Sequence, residues 1–356
     1  MEDITEYMSE TAKTVNEEIK KYLTDTTSKR YLGALLGRSR YAYDTMAISK
    51  AVVEPAVYLL GRGGKRWRAV FLLTVIEALG KDPKDYLEFS IIPEVIHNGT
   101  IIHDDIEDGS EMRRGADAVH VKYGIDIALN LGDFMFFLPM IALLDSEKLD
   151  RNTKIKMLET YQRDMLKLSI GQATDIAWHK AMVSPKDVTE AQYLQMAYSK
   201  TGVLSSMAAK MGAILSGADE QTTDAIGYFG STIGVAFQLQ DDLLNMTEGG
   251  LADMKGGIGD DITEGKVTLL AIKAIERANN EDKSRLVEIL GMHTKNPDDI
   301  AEAIGIIKKY KADEYTKDLE LSLLKEAWSK VDGLIVDSPA KARLRSMAEF
   351  MIHRSI

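Results

Sequence analysis

Two sets of polar side chains interrupt apolar stretches of this chain: Asp104, Asp105 and Asp108, then Asp241, Asp242 and Asn245. On a helix, positions i, i+1 and i+4 fall within one arc, so each set can aim oxygen ligands at a single point. Carboxylates held that closely repel one another unless cations sit among them. With no cysteine in the chain and only six histidines, an oxygen donor set suits a hard ion that keeps some water and bridges to a phosphate. That describes magnesium better than zinc. An isolated Asp-Asp pair is more often a solvated helix end or an N-cap. Here Asp104 follows Ile101, Ile102 and His103, and Asp241 follows Phe237, Gln238, Leu239 and Gln240. Both pairs thus lie inside apolar helical patterns, where buried charge requires partners. Two clusters imply two faces of one site.

Cations are placed to complement them. Gly61, Arg62, Gly63, Gly64, Lys65, Arg66, Trp67 and Arg68 form a glycine-rich basic turn that leads into an apolar helix beginning near Val70. Glycine permits close backbone approach to an anion, and Lys65, Arg66 and Arg68 supply full positive charge. Read alone, the turn is either a phosphate cradle or an ordinary basic loop. Arg113 and Arg114 follow the first cluster by five and six residues from Asp108. They either salt-bridge its carboxylates or, together with metal ions, clamp a polyanion.

The elements that must carry these residues read as helices. Segments 71–79, 125–144, 152–176, 189–216 and 222–244 repeat apolar residues at three- and four-residue spacing, and alternating strand patterns are scarce. Thr189 with Glu190, and Asp219 with Glu220, mark helix starts. With only seven prolines and no Pro/Ser-rich linker, the expectation is an all-α fold: one domain over residues 1–356, a single large bundle of about ten to fourteen helices. Residues 1–30 form a polar, amphipathic N-terminal segment expected to pack at an edge or a partner surface. An acidic start, Met1-Glu2-Asp3, and the lack of an uncharged 18-residue apolar run argue against a leader or a transmembrane segment and for a cytoplasmic protein. The net charge of -11 argues against nucleic acid as a partner.

Taken together, the ordered motifs resemble the trans-type isoprenyl diphosphate synthases, a family that includes farnesyl and geranylgeranyl diphosphate synthases. The resemblance runs from about Gly63 to Lys266 and more loosely to the C-terminus, where 348–354 looks like the family's closing helix. Glu94, Val95, Ile96, His97, then His103 to Asp108, then Arg113, Arg114 and Gly115 resemble its first aspartate-rich region. Phe237 to Asp242 resembles the second, Lys200-Thr201 its Lys-Thr pair, and Gly265, Lys266, Val267 and Thr268 its Gly-Lys-x-Thr element.

The resemblance implies a fold and a set of roles. The fold is that of the isoprenoid synthases, a helical bundle around a central cavity. Asp104, Asp108 and Asp241 would hold Mg2+, three ions per active site, bridging the diphosphate of an allylic substrate, with Asp105 and Asp242 in support. Arg113, Lys200 and Lys266 would bind that diphosphate. Gly64, Lys65, Arg66, His97 and Arg114 would hold isopentenyl diphosphate. Lys200, Thr201 and Gln238 would face the developing allylic cation, and Gln172 with Asp175 would line the pocket. A homodimer is implied as well. The leading expectation is a prenyltransferase making geranylgeranyl diphosphate or a longer polyprenyl diphosphate. The alternatives are a farnesyl diphosphate synthase, a terpene cyclase-like enzyme and a catalytically silent synthase subunit.

Some positions depart from the family pattern. Asn245 replaces a third aspartate, which is expected to weaken one metal site. Gly256 stands where a lysine is usual, leaving Lys255 as a substitute, and Ala69 replaces a proline. Asp261 reads as an N-cap for the helix carrying Lys266. The residues one and two turns before Asp104, namely Gly99 with Thr100 and then Ile96, are the expected determinants of chain length. Small residues at 99 and 100 favour a long product, although Gly99 serves equally well to let two helices approach closely.

Overall fold

The computed structural model describes residues 3–24, 27–246 and 258–353, and across these the regular elements are helices apart from one pair of two-residue strands. Lys255, Gly256 and Gly257, and the terminal Arg354, Ser355 and Ile356, lie outside the described residues. The chain divides into two units, residues 1–157 and 158–356.

In the first unit, helix Ile4–Tyr22 is opened by Asp3, whose carboxylate accepts from the Thr5 amide. Its buried face, Met8, Ala12, Val15 and Ile19, follows the four- and three-residue spacing of one helical stripe. The polar N-terminal segment therefore packs as a helix of this unit. Tyr7 Oη and Thr74 Oγ1 lie 3.0 Å apart and link it to helix Trp67–Ala78. In that second helix every residue but Glu77 is buried, so it is a core element, apolar on all sides.

Helix Ile91–Glu107 carries His97 and the first aspartates. Helix Ile125–Phe137 crosses it at two glycines: a Cβ on Gly99 would stand 2.9 Å from the Gly132 carbonyl oxygen and 3.0 Å from the Phe136 ring. Gly99 thus faces a neighbouring helix, which is the close-approach role, and Phe136 covers the position where an open tunnel wall was expected. The periodic stretch 125–144 is interrupted at Leu138 and Pro139 and resumes as Met140–Leu144, because proline cannot continue the hydrogen-bond ladder. This is the one stretch among the described residues apolar enough to be considered for a membrane span, with mean hydropathy 1.9. It is half buried and carries Asp126 and Asp133.

Strands Met112–Arg113 and Ala116–Asp117 pair antiparallel, Met112 with Asp117 and Arg113 with Ala116. The two-residue turn between them, Arg114 and Gly115, has φ values of 52° and 74°. Positive φ at both central positions is the hairpin turn whose twist matches the strands.

The second unit is organised on helix Glu220–Asn245, capped by Asp219 as its sequence predicts. Helix Glu190–Ala197 opens with a capping box in which Thr189 and Gln192 satisfy each other's backbone. It passes through a wide turn, Tyr198–Gly202, into helix Val203–Leu215. Such π-type turns inside helices recur at functional positions, and this one carries Lys200 and Thr201. Two apolar clusters pack within this unit. Trp178, Tyr193, Ala197, Leu239 and Ile272 belong to one, and Leu243, Ile262, Leu270 and Leu290 to the other.

Candidate active site

In the first unit, the aspartates sit in the last turn of helix Ile91–Glu107, with Asp108 as its C-cap. Asp105 is 1% exposed; its Oδ1 accepts from Arg113 Nε at 2.8 Å and from Nη2 as well, while Oδ2 is buried without a hydrogen-bond partner. Burial pushes the Asp105 carboxyl above its ordinary range, against the opposing pull of Arg113. The hairpin is what returns Arg113 to this carboxylate, while Asp104 and Asp108 remain half-buried beside it.

Two helical turns earlier on the same helix lies a cationic enclosure. The imidazole of His97 is held well below the usual histidine range, by enclosure in the protein and then by the charges of Arg68, Arg114, Arg66 and Arg113. Arg114 is lowered to about 10, first by burial and then by Arg66. Its Nη1 donates to the Gly63 carbonyl at 2.9 Å and to Leu59 O at 3.4 Å. Arg68 is 4% exposed and lies over the Trp67 ring at 4.6 Å. Lys65 is exposed at the mouth of the turn. Positive groups gathered this tightly would favour an anion.

Arg66 is different from its neighbours. It is 2% exposed, has φ 47°, and spends its guanidinium on Asn16, Glu94 and the Leu60 carbonyl. A non-glycine residue in that left-handed conformation costs roughly 1–3 kcal/mol and persists only where its surroundings hold it. The expectation that Arg66 itself touches a diphosphate is not what this burial supports.

In the second unit, one hydrogen-bonded chain joins the sequence-predicted residues. Thr201 Oγ1 donates to Gln238 Oε1 at 2.8 Å, Gln238 Nε2 donates to Asp242 Oδ1 at 2.9 Å, and Tyr193 Oη donates to Asp242 Oδ2 at 2.6 Å. Sequence reasoning missed Tyr193, which lies outside every quoted motif. Asp242 is pushed up to about 8, by burial and then by the nearby Asp261 carboxylate. Tyr193 is raised well above its usual value by burial and by Asp242. Lys200 Nζ donates to Asp175 Oδ2 at 2.6 Å. A Cβ on Gly171 would collide with the backbone of Ser199 and Lys200, so the Gly-Gln-x-x-Asp run that includes Gln172 brings Gly171 and Asp175 against the wide turn.

Asp261 takes a role other than the one expected, and Asn245 contacts its backbone. Asn245 Oδ1 accepts from the Asp261 amide at 3.1 Å, and its carbonyl accepts from Gly259 at 2.9 Å. The amide side chain therefore anchors the returning backbone. Asp261 is not an N-cap for Lys266: it lies inside the one-turn helix Asp260–Thr263, whose N-cap is Gly259, and Lys266 follows that helix. Lys266 pairs with Glu264 and lies 3.7 Å from Asp261.

No three carboxylate or imidazole side chains among the described residues converge on one point. The donor chemistry nonetheless fits a hard divalent cation. Asp105 keeps one buried oxygen unpartnered, and Asp242 resists ionising, through burial first and then the Asp261 and Asp241 carboxylates. Phosphate oxygens of a bound substrate would complete the coordination.

Residues 49–307 match the family model for polyprenyl synthetases. A short chain isoprenyl diphosphate synthase of Methanothermobacter thermautotrophicus is 35% identical over 308 residues, covering 86% of this chain and 91% of that one. The geranylgeranyl diphosphate synthase of Methanosarcina mazei is 33% identical, covering 83% and 88%. The crystal structure of geranylgeranyl pyrophosphate synthetase from Pyrococcus horikoshii Ot3 superposes with a TM-score of 0.86 at 29% identity, covering 99% of both chains. The chain belongs to the polyprenyl synthetase family.

Proposed function

We propose that this protein condenses isopentenyl diphosphate with an allylic diphosphate, head to tail, releasing diphosphate and making a trans-polyprenyl diphosphate of geranylgeranyl length or longer. The observation that carries the reading is on one helix. His97 lies among arginines whose charge would suit a diphosphate, and Asp104, Asp105 and Asp108, whose carboxylates would suit cations, begin two turns further on, ~10 Å along the axis. A condensing enzyme needs this separation, because each of its two substrates brings its own diphosphate. A cyclase has no use for the second anion site. Relatives named as geranylgeranyl diphosphate synthases support the product length.

Lys65, His97 and Arg114, with the Gly64 backbone, hold isopentenyl diphosphate. Asp104, Asp108 and Asp241 would hold magnesium, three ions in all, with Asp105 and Asp242 orienting those ligands. When bound, these cations neutralise the departing diphosphate. Arg113, Lys200 and Lys266 bind the same allylic diphosphate; Arg113 and Lys200 rest on Asp105 and Asp175 in the structure described here. Thr201 and Gln238 present oxygen dipoles toward the cation left when the allylic carbon–oxygen bond breaks. The isopentenyl double bond then attacks that carbon, forming the new carbon–carbon bond. The proton lost from the adjoining carbon passes to released diphosphate. Exposed Ile125, Leu129 and Phe137 on one helix support the homodimer as the assembled form.

The test is incubation with isopentenyl diphosphate and ten-, fifteen- or twenty-carbon allylic diphosphates, with and without magnesium, followed by product mass. Metal-dependent elongation is expected. An allylic substrate left intact, or cyclised without elongation, would refute the proposal.

A further inference from the structure

The N-terminal helix reaches the glycine-rich turn through one buried guanidinium. Arg66 Nε donates to Asn16 Oδ1 at 2.9 Å, Nη1 to Glu94 Oε1 at 3.3 Å and Nη2 to Leu60 O at 2.8 Å. Three separate segments, helix Ile4–Tyr22, the chain before the turn and helix Ile91–Glu107, therefore meet on one side chain. Arg66 and Glu94 are each 2% exposed, so the pair is closed off from solvent.

We infer that Arg66 is a positioning residue and that Asn16, Arg66 and Glu94 form a strut making the N-terminal helix a working part of the isopentenyl diphosphate site. The inference rests on the transferase reading and names a role for a segment that the reading leaves idle. The contacts show how the strut acts. A Cβ on Gly64 would lie 3.2 Å from Arg66 Nη1 and 3.3 Å from Arg114 Nη2, so the two guanidinium groups pack on the same glycine. Arg114 in turn holds the Gly63 carbonyl. A shift of Arg66 would move residues 63–65 and Arg114 together, and with them the amides and cations that receive the phosphate. Glu94 stands on the same helix three residues before His97, so the strut also ties the turn to that imidazole. Arg66 keeps a left-handed φ of 47°, which the three anchors over-determine.

The experiment measures isopentenyl diphosphate binding by calorimetry, and steady-state KM for both substrates, in wild type, Asn16→Ala, Asn16→Asp, Glu94→Gln and Arg66→Met. Asn16→Ala is expected to weaken isopentenyl diphosphate binding by up to about tenfold to 150-fold, the full loss of one hydrogen bond to a charged group. Its effect on kcat and on the allylic KM should be smaller. Asn16→Asp keeps the acceptor oxygen and should restore most of the affinity. Glu94→Gln should weaken binding too. If Arg66 were instead a substrate ligand, releasing it from Glu94 would tighten binding, and that result overturns the strut. So does an equal change in both KM values with Asn16→Asp no better than Asn16→Ala. Should wild type neither bind nor elongate, the transferase reading fails separately, and the strut is judged by thermal unfolding. Losses from Asn16→Ala and Glu94→Gln must then be non-additive with Arg66→Met, and additive losses refute it.

Discussion

Replacing Tyr193 with Phe removes one oxygen and tests whether the second cluster is held by a residue outside every motif. Tyr193 is 1% exposed and Asp242 is 4% exposed, so water has no route to replace the lost donor. Asp242 Oδ2 would lose its 2.6 Å partner and keep only the Gln238 amide on Oδ1. A buried acceptor left unsatisfied costs about 1–3 kcal/mol. The carboxylate can recover part of that by rotating, and rotation takes Gln238 away from Thr201. If the whole loss falls on the transition state, kcat drops about fivefold to 150-fold, since each 1.4 kcal/mol is tenfold. If it falls on folding alone, Tm drops by several degrees and kcat is preserved. Steady-state assays with each substrate varied, beside a circular dichroism melt, separate the two. A kcat within twofold of wild type would refute the claim that Tyr193 positions the Gln238–Thr201 pair.

Asp104→Ala should reduce turnover by roughly 10²–10³, a typical loss for one preorganised charge-stabilising group, with helical content unchanged; near-normal turnover would sink the metal assignment. Chelation should abolish elongation and added magnesium should restore it, whereas activity that survives chelation argues against any cation at the carboxylates. His97 is held well below 6.5, so it is neutral at pH 7 in the free protein, and its stabilising contribution is present above pH 6.5 and lost as pH falls toward the folded pKa. A bound diphosphate raises that pKa, so binding should take up a fraction of a proton near pH 6. Calorimetry in two buffers of different ionisation enthalpy measures this, and equal uptake by His97→Gln would assign it elsewhere. Gly99→Ala should lower Tm by several degrees, because overpacking costs about 1–3 kcal/mol and a new methyl would meet the Gly132 carbonyl at 2.9 Å. A shortened product with unchanged Tm would instead return Gly99 to a tunnel wall.

The helices and both aspartate sets were legible because their signals are local. Apolar spacing located the helices, and Asp219 and Thr189 cap where their side-chain chemistry predicts. The break at Pro139 was legible in principle, since proline removes a ladder donor, but the hydropathy on either side outweighed it. The hairpin 112–117 was not: Arg114 is not a residue that advertises positive φ, and only Gly115 hints at the turn. Asn245 reads as a weakened metal ligand until the chain returns at Gly259 and Asp261 to claim both its oxygens. That partner is 16 residues away, beyond any local pattern.

The basic turn shows why residue type underdetermines role. Arg66 and Arg68 carry the same charge two positions apart, and composition ranks them alike as phosphate ligands. Their surroundings separate them. Glu94 lies opposite Arg66, and breaking such a buried pair from one side costs about 3–5 kcal/mol because it strands the other charge. A diphosphate would have to outbid that carboxylate in a space already filled by Asn16 and Leu60. Arg68 instead contributes the leading cationic influence on His97, so its charge already acts where the anion is proposed to bind. An arginine anchored by a buried carboxylate shapes a site, while one whose field falls on an enclosed neutral imidazole prepares that site for an anion. The distinction lies in Glu94, a residue 28 positions from Arg66.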